Sequence, residues 1–77
     1  MVEAYVLIQT EQGRMAEVAR LVSEIEGVTG TDIVTGPYDA IARISADDID
    51  ALGRLVVSQV QTVGGVIRTL TCPVVRL

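Results

Sequence analysis

Residues 2–10 read VEAYVLIQT and residues 13–27 read GRMAEVARLVSEIEG, and the change of period between them decides the fold. The first segment alternates with a period of two. Val2, Ala4, Val6 and Ile8 lie on one face of a strand, and Glu3, Tyr5, Leu7 and Gln9 on the other. In the second segment Met15, Val18, Ala19, Val22 and Ile25 follow a helical stripe, while Arg14, Glu17, Arg20 and Glu24 face out. Gly27 reads as the left-handed residue that stops this helix.

Working outward, residues 28–35 read as a strand weakened by Gly30 and polar at its start, which suits a sheet edge. After the Gly36-Pro37 turn, residues 38–45 alternate again. Ala40, Ala42 and Ile44 share one face, and Asp39, Ile41 and Arg43 share the other. Ser45-Ala46-Asp47-Asp48 has the spacing of a capping box with Asp in place of Glu. Ile49, Leu52, Val56 and Val60 then form the stripe of a second helix, ended by Gly64-Gly65. Residues 66–77 read as a last strand whose Pro73 demands an edge or a break.

The order is strand, helix, strand, strand, helix, strand, with Glu26-Gly27-Val28 echoed by Gly64-Gly65-Val66. Right-handed crossovers in both halves predict an α+β, ferredoxin-like βαββαβ sandwich: a four-stranded antiparallel sheet with two helices on one face. Tyr5, Leu7 and Ile41 fall on the bare face, which suggests the dimeric α+β barrel arrangement.

With 77 residues, the chain is expected to form a single domain over 1–77, near the lower limit for one unaided core. It is 49% hydrophobic with only two aromatic residues, and its mean hydropathy is +0.47. So small a body hides that much apolar surface most simply against another copy, so oligomerisation is expected. The formal charge is −4, Lys and His are absent, and the six Arg residues are interleaved with acids. This argues against direct nucleic-acid binding.

The lack of His also removes the commonest general base and metal ligand, and Cys72 stands alone. Neither a catalytic set nor a metal or cofactor site is expected. The acids Asp47, Asp48 and Asp50 read as complements to a helix dipole. Residues 27–30 lack the spacing of a dinucleotide loop. No leader pattern opens the sequence, and the uncharged run at 55–67 is too short and polar to span a bilayer, so a cytoplasmic protein without membrane contact is expected.

The segment TGPYD at 35–39 holds the most suggestive polar group. Gly36 and Pro37 shape and stiffen a turn that presents Tyr38 and Asp39. Asp39 either caps the backbone of its own turn or faces a ligand amine. Arg43, at strand spacing from Asp39, reads as an ion-pair partner or as the second pole of a zwitterion site.

Taken together, AYVLIQT at 4–10, EGV at 26–28, TGPYD at 35–39 and GVIRTLT at 65–71 resemble the effector-binding (RAM) domain of the Lrp/AsnC family of transcriptional regulators, over essentially the whole chain. Regulators of the family carry a helix-turn-helix domain ahead of this region. Here the first strand follows Met1 at once, so the chain is similar to a stand-alone form that does not bind DNA by itself. The resemblance implies a sheet-to-sheet homodimer, assembly of dimers into octamers or decamers, an amino-acid effector held between dimers, and co-assembly with full-length Lrp/AsnC regulators.

By the same resemblance, Ile33, Gly36, Pro37, Tyr38 and Asp39 supply the strand two to three part of the ligand site. Ile49 comes from the second helix, and Leu70, Thr71 and Cys72 from the last strand. Asp39 would meet the effector's amino group and the turn's amides its carboxylate, with Pro37 removing one donor. The alternative is a small dimeric α+β-barrel enzyme, of the cofactor-free oxygenase or isomerase type. It requires a cavity between sheet and helices with a polar group pointing into it. A third reading is a purely structural assembly module.

Overall fold

The two alternating segments pair with each other at the centre of the sheet. In the computed structural model, which describes residues 1–77, the elements are β1 (Val2–Thr10), α1 (Met15–Ser23), β2 (Val28–Ile33), β3 (Ala40–Ala46), α2 (Ile49–Leu55) and β4 (Val66–Pro73). A π-helical turn, Val56–Val60, prolongs α2. The sheet order is β2-β3-β1-β4 with every neighbouring pair antiparallel, and this is the ferredoxin-like sandwich expected from the pattern.

The core lies between the sheet and the helices, where period two and period 3.6 place their apolar faces. Ala4, Val6, Ile8, Ala40, Ala42 and Ile44 from the strands meet Val18 and Val22 from α1, and Leu52, Val56 and Val60 from α2 and its extension. The small alanines let the helices approach the sheet closely. Only 13 of 77 residues are buried, so much of the apolar composition remains at the surface of one protomer.

The two βαβ halves meet through matched glycines. Gly27 and Gly65 have φ of 101° and 99°, a region that favours glycine, and each immediately precedes its strand. A Cβ on Gly27 would come within 2.8 Å of Leu55 from the second half, and one on Gly65 within 2.9 Å of Val18 from the first. Their carbonyls likewise accept across the halves, from the amides of Ser45 and Glu11, both at 2.8 Å. Neither glycine directly ends its helix as expected: α1 stops at Ser23 and the π-turn at Val60, and the glycines turn the chain into β2 and β4.

Other boundaries differ from the sequence pattern for local reasons. β2 ends at Ile33 and β3 starts at Ala40, although the Val34 amide still donates to the Asp39 carbonyl at 2.9 Å at the base of the turn between them. β4 closes at Pro73, which has no amide to donate, although Val74 still donates to the Glu3 carbonyl at 2.8 Å. The cap of α2 is Asp48, whose carboxylate accepts from the Ala51 amide at 2.8 Å. Ser45 instead belongs to β3. In the π-turn, the Gln61 amide donates to the Val56 carbonyl five residues back, at 2.9 Å. Hydroxyls partner nearby carbonyls: Ser58 donates to Arg54 at 2.5 Å and Thr62 to Ser58 at 2.9 Å.

Candidate functional site

The helix-free face of the sheet is ordered by register into rows. Ile41, Leu7 and Leu70 stand side by side across β3, β1 and β4, and Arg43, Tyr5 and Cys72 form the next row. Tyr5 is 41% and Leu70 48% exposed, while Leu7 and Ile41 are half-buried by their neighbours alone. A polar rim flanks them. The Arg43 guanidinium lies 5.4 Å from the centre of the Tyr5 ring and 3.5 Å from a Glu3 carboxylate oxygen, which also binds Arg76.

Asp39 is committed on three sides. Its amide donates to the Ile8 carbonyl and its carbonyl accepts from the Val34 amide, each at 2.9 Å. Its Oδ2 accepts from the Thr10 amide at 2.8 Å and from Thr10 Oγ1 at 3.2 Å. Ile8 and Ala40 are the last register pair of β1 with β3, and beyond them the chain turns away. The Asp39 carboxylate therefore takes the place of the ladder acceptor that Thr10 would lack. This is neither a cap on its own turn nor a pair with Arg43, which reaches to Glu3 instead. Thr10 is the one buried polar residue, and the signal for it is a threonine at the last core-facing position of an otherwise apolar strand.

The nine residues carried over by resemblance fall in three places. Ile33, Gly36, Pro37, Tyr38 and Asp39 form the β2–β3 turn and its approach, with Tyr38 and Asp39 half-buried and Gly36 and Pro37 exposed. Ile49 and Thr71 line a shallow hollow of about 290 Å³ between α2 and β4, together with Leu52, Gly53 and Pro73. Leu70 and Cys72 lie on the open face, opposite Leu7 and Tyr5. A single protomer does not close a pocket around all nine. Ile49, expected on the core stripe, is 56% exposed. The space between sheet and helices is filled by apolar side chains. No helix is long and apolar enough to cross a membrane.

A four-stranded antiparallel sheet with paired helices behind and an apolar, polar-rimmed face in front defines an α+β, ferredoxin-like domain. The family model of the Lrp/AsnC ligand binding domain matches residues 3–77, and the chain belongs to that family. PH1916, an HTH-type transcriptional regulator of Pyrococcus horikoshii, is 31% identical over 55 residues. Those residues are 71% of this chain and 37% of the regulator, so the match spans little more than a third of that relative's length. The crystal structure of TTHA0845 from Thermus thermophilus matches with a TM-score of 0.93 and 31% identity, over 100% of this chain and 96% of that one. Transcriptional regulator NMB0573 from Neisseria meningitidis, in complex with L-Met, matches with a TM-score of 0.86 and 18% identity, over 97% of this chain and 50% of that one. At that identity the likeness is one of fold.

Proposed function

We propose that residues 1–77 form a single non-enzymatic, amino-acid-sensing domain that dimerises through its open sheet face, assembles further, and modulates full-length Lrp/AsnC regulators by joining them. The observation that carries this reading is the apolar row Ile41, Leu7 and Leu70 with Tyr5 beside it, left uncovered by a fold that buries 13 residues. Apolar surface rimmed by charge fits an interface better than water. The acidic balance, net −4 without Lys, supports action through a regulator rather than on DNA directly.

The ligand is proposed to lie between dimers, where the turn of one protomer meets surfaces of another, and Ile33, Gly36, Pro37, Tyr38, Asp39, Ile49, Leu70, Thr71 and Cys72 are the candidate contacts, with Leu70 and Cys72 reaching it from the edge strand β4 at the margin of the sheet-face contact. Asp39 has given Oδ2 to Thr10, which fixes its orientation and leaves Oδ1 as the atom that would accept from an α-amino group. The NMB0573 complex with L-Met supports an amino acid as the class of ligand. The enzymatic alternative needs a cavity in the layer that Val6, Ile8, Val22, Ile44 and Leu52 fill.

The test is thermal denaturation across a panel of amino acids. A ligand at a hundred times its Kd stabilises by about 2.7 kcal/mol, a readily measured rise in Tm. Asp39→Asn keeps a carbonyl for Thr10 while removing the charge, so it should fold and lose the rise. A panel without any shift, or an equal shift in Asp39→Asn, would sink the ligand reading.

A further inference from the structure

The outward face of α2 is a part of the protomer that its own fold does not explain. Ile49 and Val57 are 56% and 62% exposed, and Gly53 lies about one helical turn from each, so the three form a line along the helix. Glycine is among the poorest residues for a helix interior. Nothing in the protomer requires it here: Gly53 is absent from the residues with positive φ, and a Cβ built on it meets no atom within 4 Å. What a missing side chain offers at such a place is close approach by another backbone. Ile49, Gly53 and Val57, with Asp50, Arg54 and Ser58 alongside, line an open groove of about 500 Å³.

The charges indicate what fits this groove. Asp50 and Arg54 are four residues apart in the order that favours pairing within a helix, yet neither is in any of the five ion pairs of the protomer. A second α2 laid antiparallel across Gly53 matches both the charges and the apolar residues. At roughly 1.5 Å rise per residue, Asp50 lies about 4.5 Å before Gly53 and Arg54 about 1.5 Å after it. Reversing the partner brings the partner's Arg54 within about 3 Å of Asp50 along the axis, and two-fold symmetry repeats the pair. Ile49 and Val57 are equidistant from Gly53 in sequence, so each comes level with the other residue type on the partner. The face is complementary to itself.

We propose that the outward face of α2 is a second interface between copies of this chain, in which two α2 helices cross antiparallel at Gly53 about a two-fold axis. The contact is argued from α2 alone, but the assembly that follows rests on the sheet-face dimer proposed above. Sheet and helices are opposite layers of the fold, so a protomer using both surfaces links dimers helix to helix. Two different two-fold contacts yield assemblies with an even number of chains.

Native mass spectrometry and sedimentation velocity on the full chain test this, with circular dichroism as the check on folding. Wild type should form even-numbered species larger than two chains. Gly53→Leu, whose Cβ meets no atom of the protomer within 4 Å, should lose every species above the dimer. Asp50→Arg and Arg54→Asp should each weaken the larger species, and the double reversal should regain them. Leu7→Glu, on the sheet face, should leave a two-chain species that adding Gly53→Leu reduces to monomer. Large species that survive Gly53→Leu, or a folded double reversal that regains nothing, would overturn the helix contact. A wild type that stops at the dimer would also overturn it while leaving the sheet-face reading standing. A monomeric wild type would overturn both.

Discussion

The two helices cover the same sheet yet face the outside in different ways. Beyond Met15, which opens α1 and is 36% exposed instead of joining the core stripe, the exposed side of α1 is dressed for water: Arg14 pairs with Glu11 and Glu17, and Arg20 with Glu24, at 3.2 to 3.3 Å. The exposed side of α2 carries Ile49, Gly53 and Val57, and its charged residues Asp50 and Arg54 have no ion-pair partner in the chain. Inward, both are ordinary amphipathic helices, with Val18 and Val22 on one and Leu52 on the other fully covered. The difference teaches that the core fixes only one side of each helix. What the other side carries reflects what it is meant to meet.

The sharpest way to break this comparison is to attack the shared inward role. Leu52→Ala removes a side chain that is 1% exposed and should destabilise the protomer by about 2–5 kcal/mol. Val22→Ala on α1 deletes two carbons rather than three and should fall below it. Chemical denaturation of both reports this. A loss under about 1 kcal/mol for Leu52→Ala would mean that α2 is held by its outward face and not by the core.

Next in size are the junction glycines, which tie each helix to the opposite half. Gly27→Ala would force a side chain into a left-handed backbone and against Leu55, and Gly65→Ala would do the same against Val18. The backbone term alone is about 1–2 kcal/mol, and the contact adds to it. Equal losses would show that the halves brace each other symmetrically, while a much smaller loss at Gly27 would show that Leu55 gives way. The helix starts come third. α2 is capped by Asp48, whereas Arg14 at the corresponding place on α1 makes no side-chain cap bond. Asp48→Ala should cost about 1 kcal/mol. Arg14→Ala should show no loss of a cap in the same melt.

Much of this fold is legible in the sequence, because a period of two at 2–10 and 38–45 dictates which residues point inward, and the structure buries Ala4, Val6, Ile8, Ala40, Ala42 and Ile44. The harder features depend on partners distant in sequence. Where β3 begins is set by Asp39 reaching Thr10, 29 residues away, and no local pattern encodes that bond. Ser45 and Asp48 both suit a cap, and the choice falls to the bond from the Ser45 amide to Gly27. Ile49 fits the helical stripe, but periodicity does not say that the first turn projects beyond the core. The candidate ligand residues come from resemblance and lie in three separate places on one protomer, so the site proposed for them closes only through contacts between copies. Such contacts leave only indirect traces in one sequence, such as an unexplained glycine flanked by exposed Ile and Val.

The smallest expected effect belongs to the ion pairs that make α1 look settled. Arg20 and Glu24 are one turn apart, 3.3 Å at closest approach, with side chains 63% and 64% exposed. Water screens such a pair and both long side chains lose freedom in forming it, so its coupling should be about 0.3 kcal/mol or less. The order, Arg before Glu, is also the poorer one against the helix dipole. A double-mutant cycle with Arg20→Gln and Glu24→Gln, measured in low salt and again in about 0.5 M salt, checks this. The expected outcome is a small coupling that fades with salt while the assembly state stays unchanged. A coupling above about 1 kcal/mol, or a change in assembly, would mean that the outward face of α1 is also an interface, and the contrast between the helices would fail.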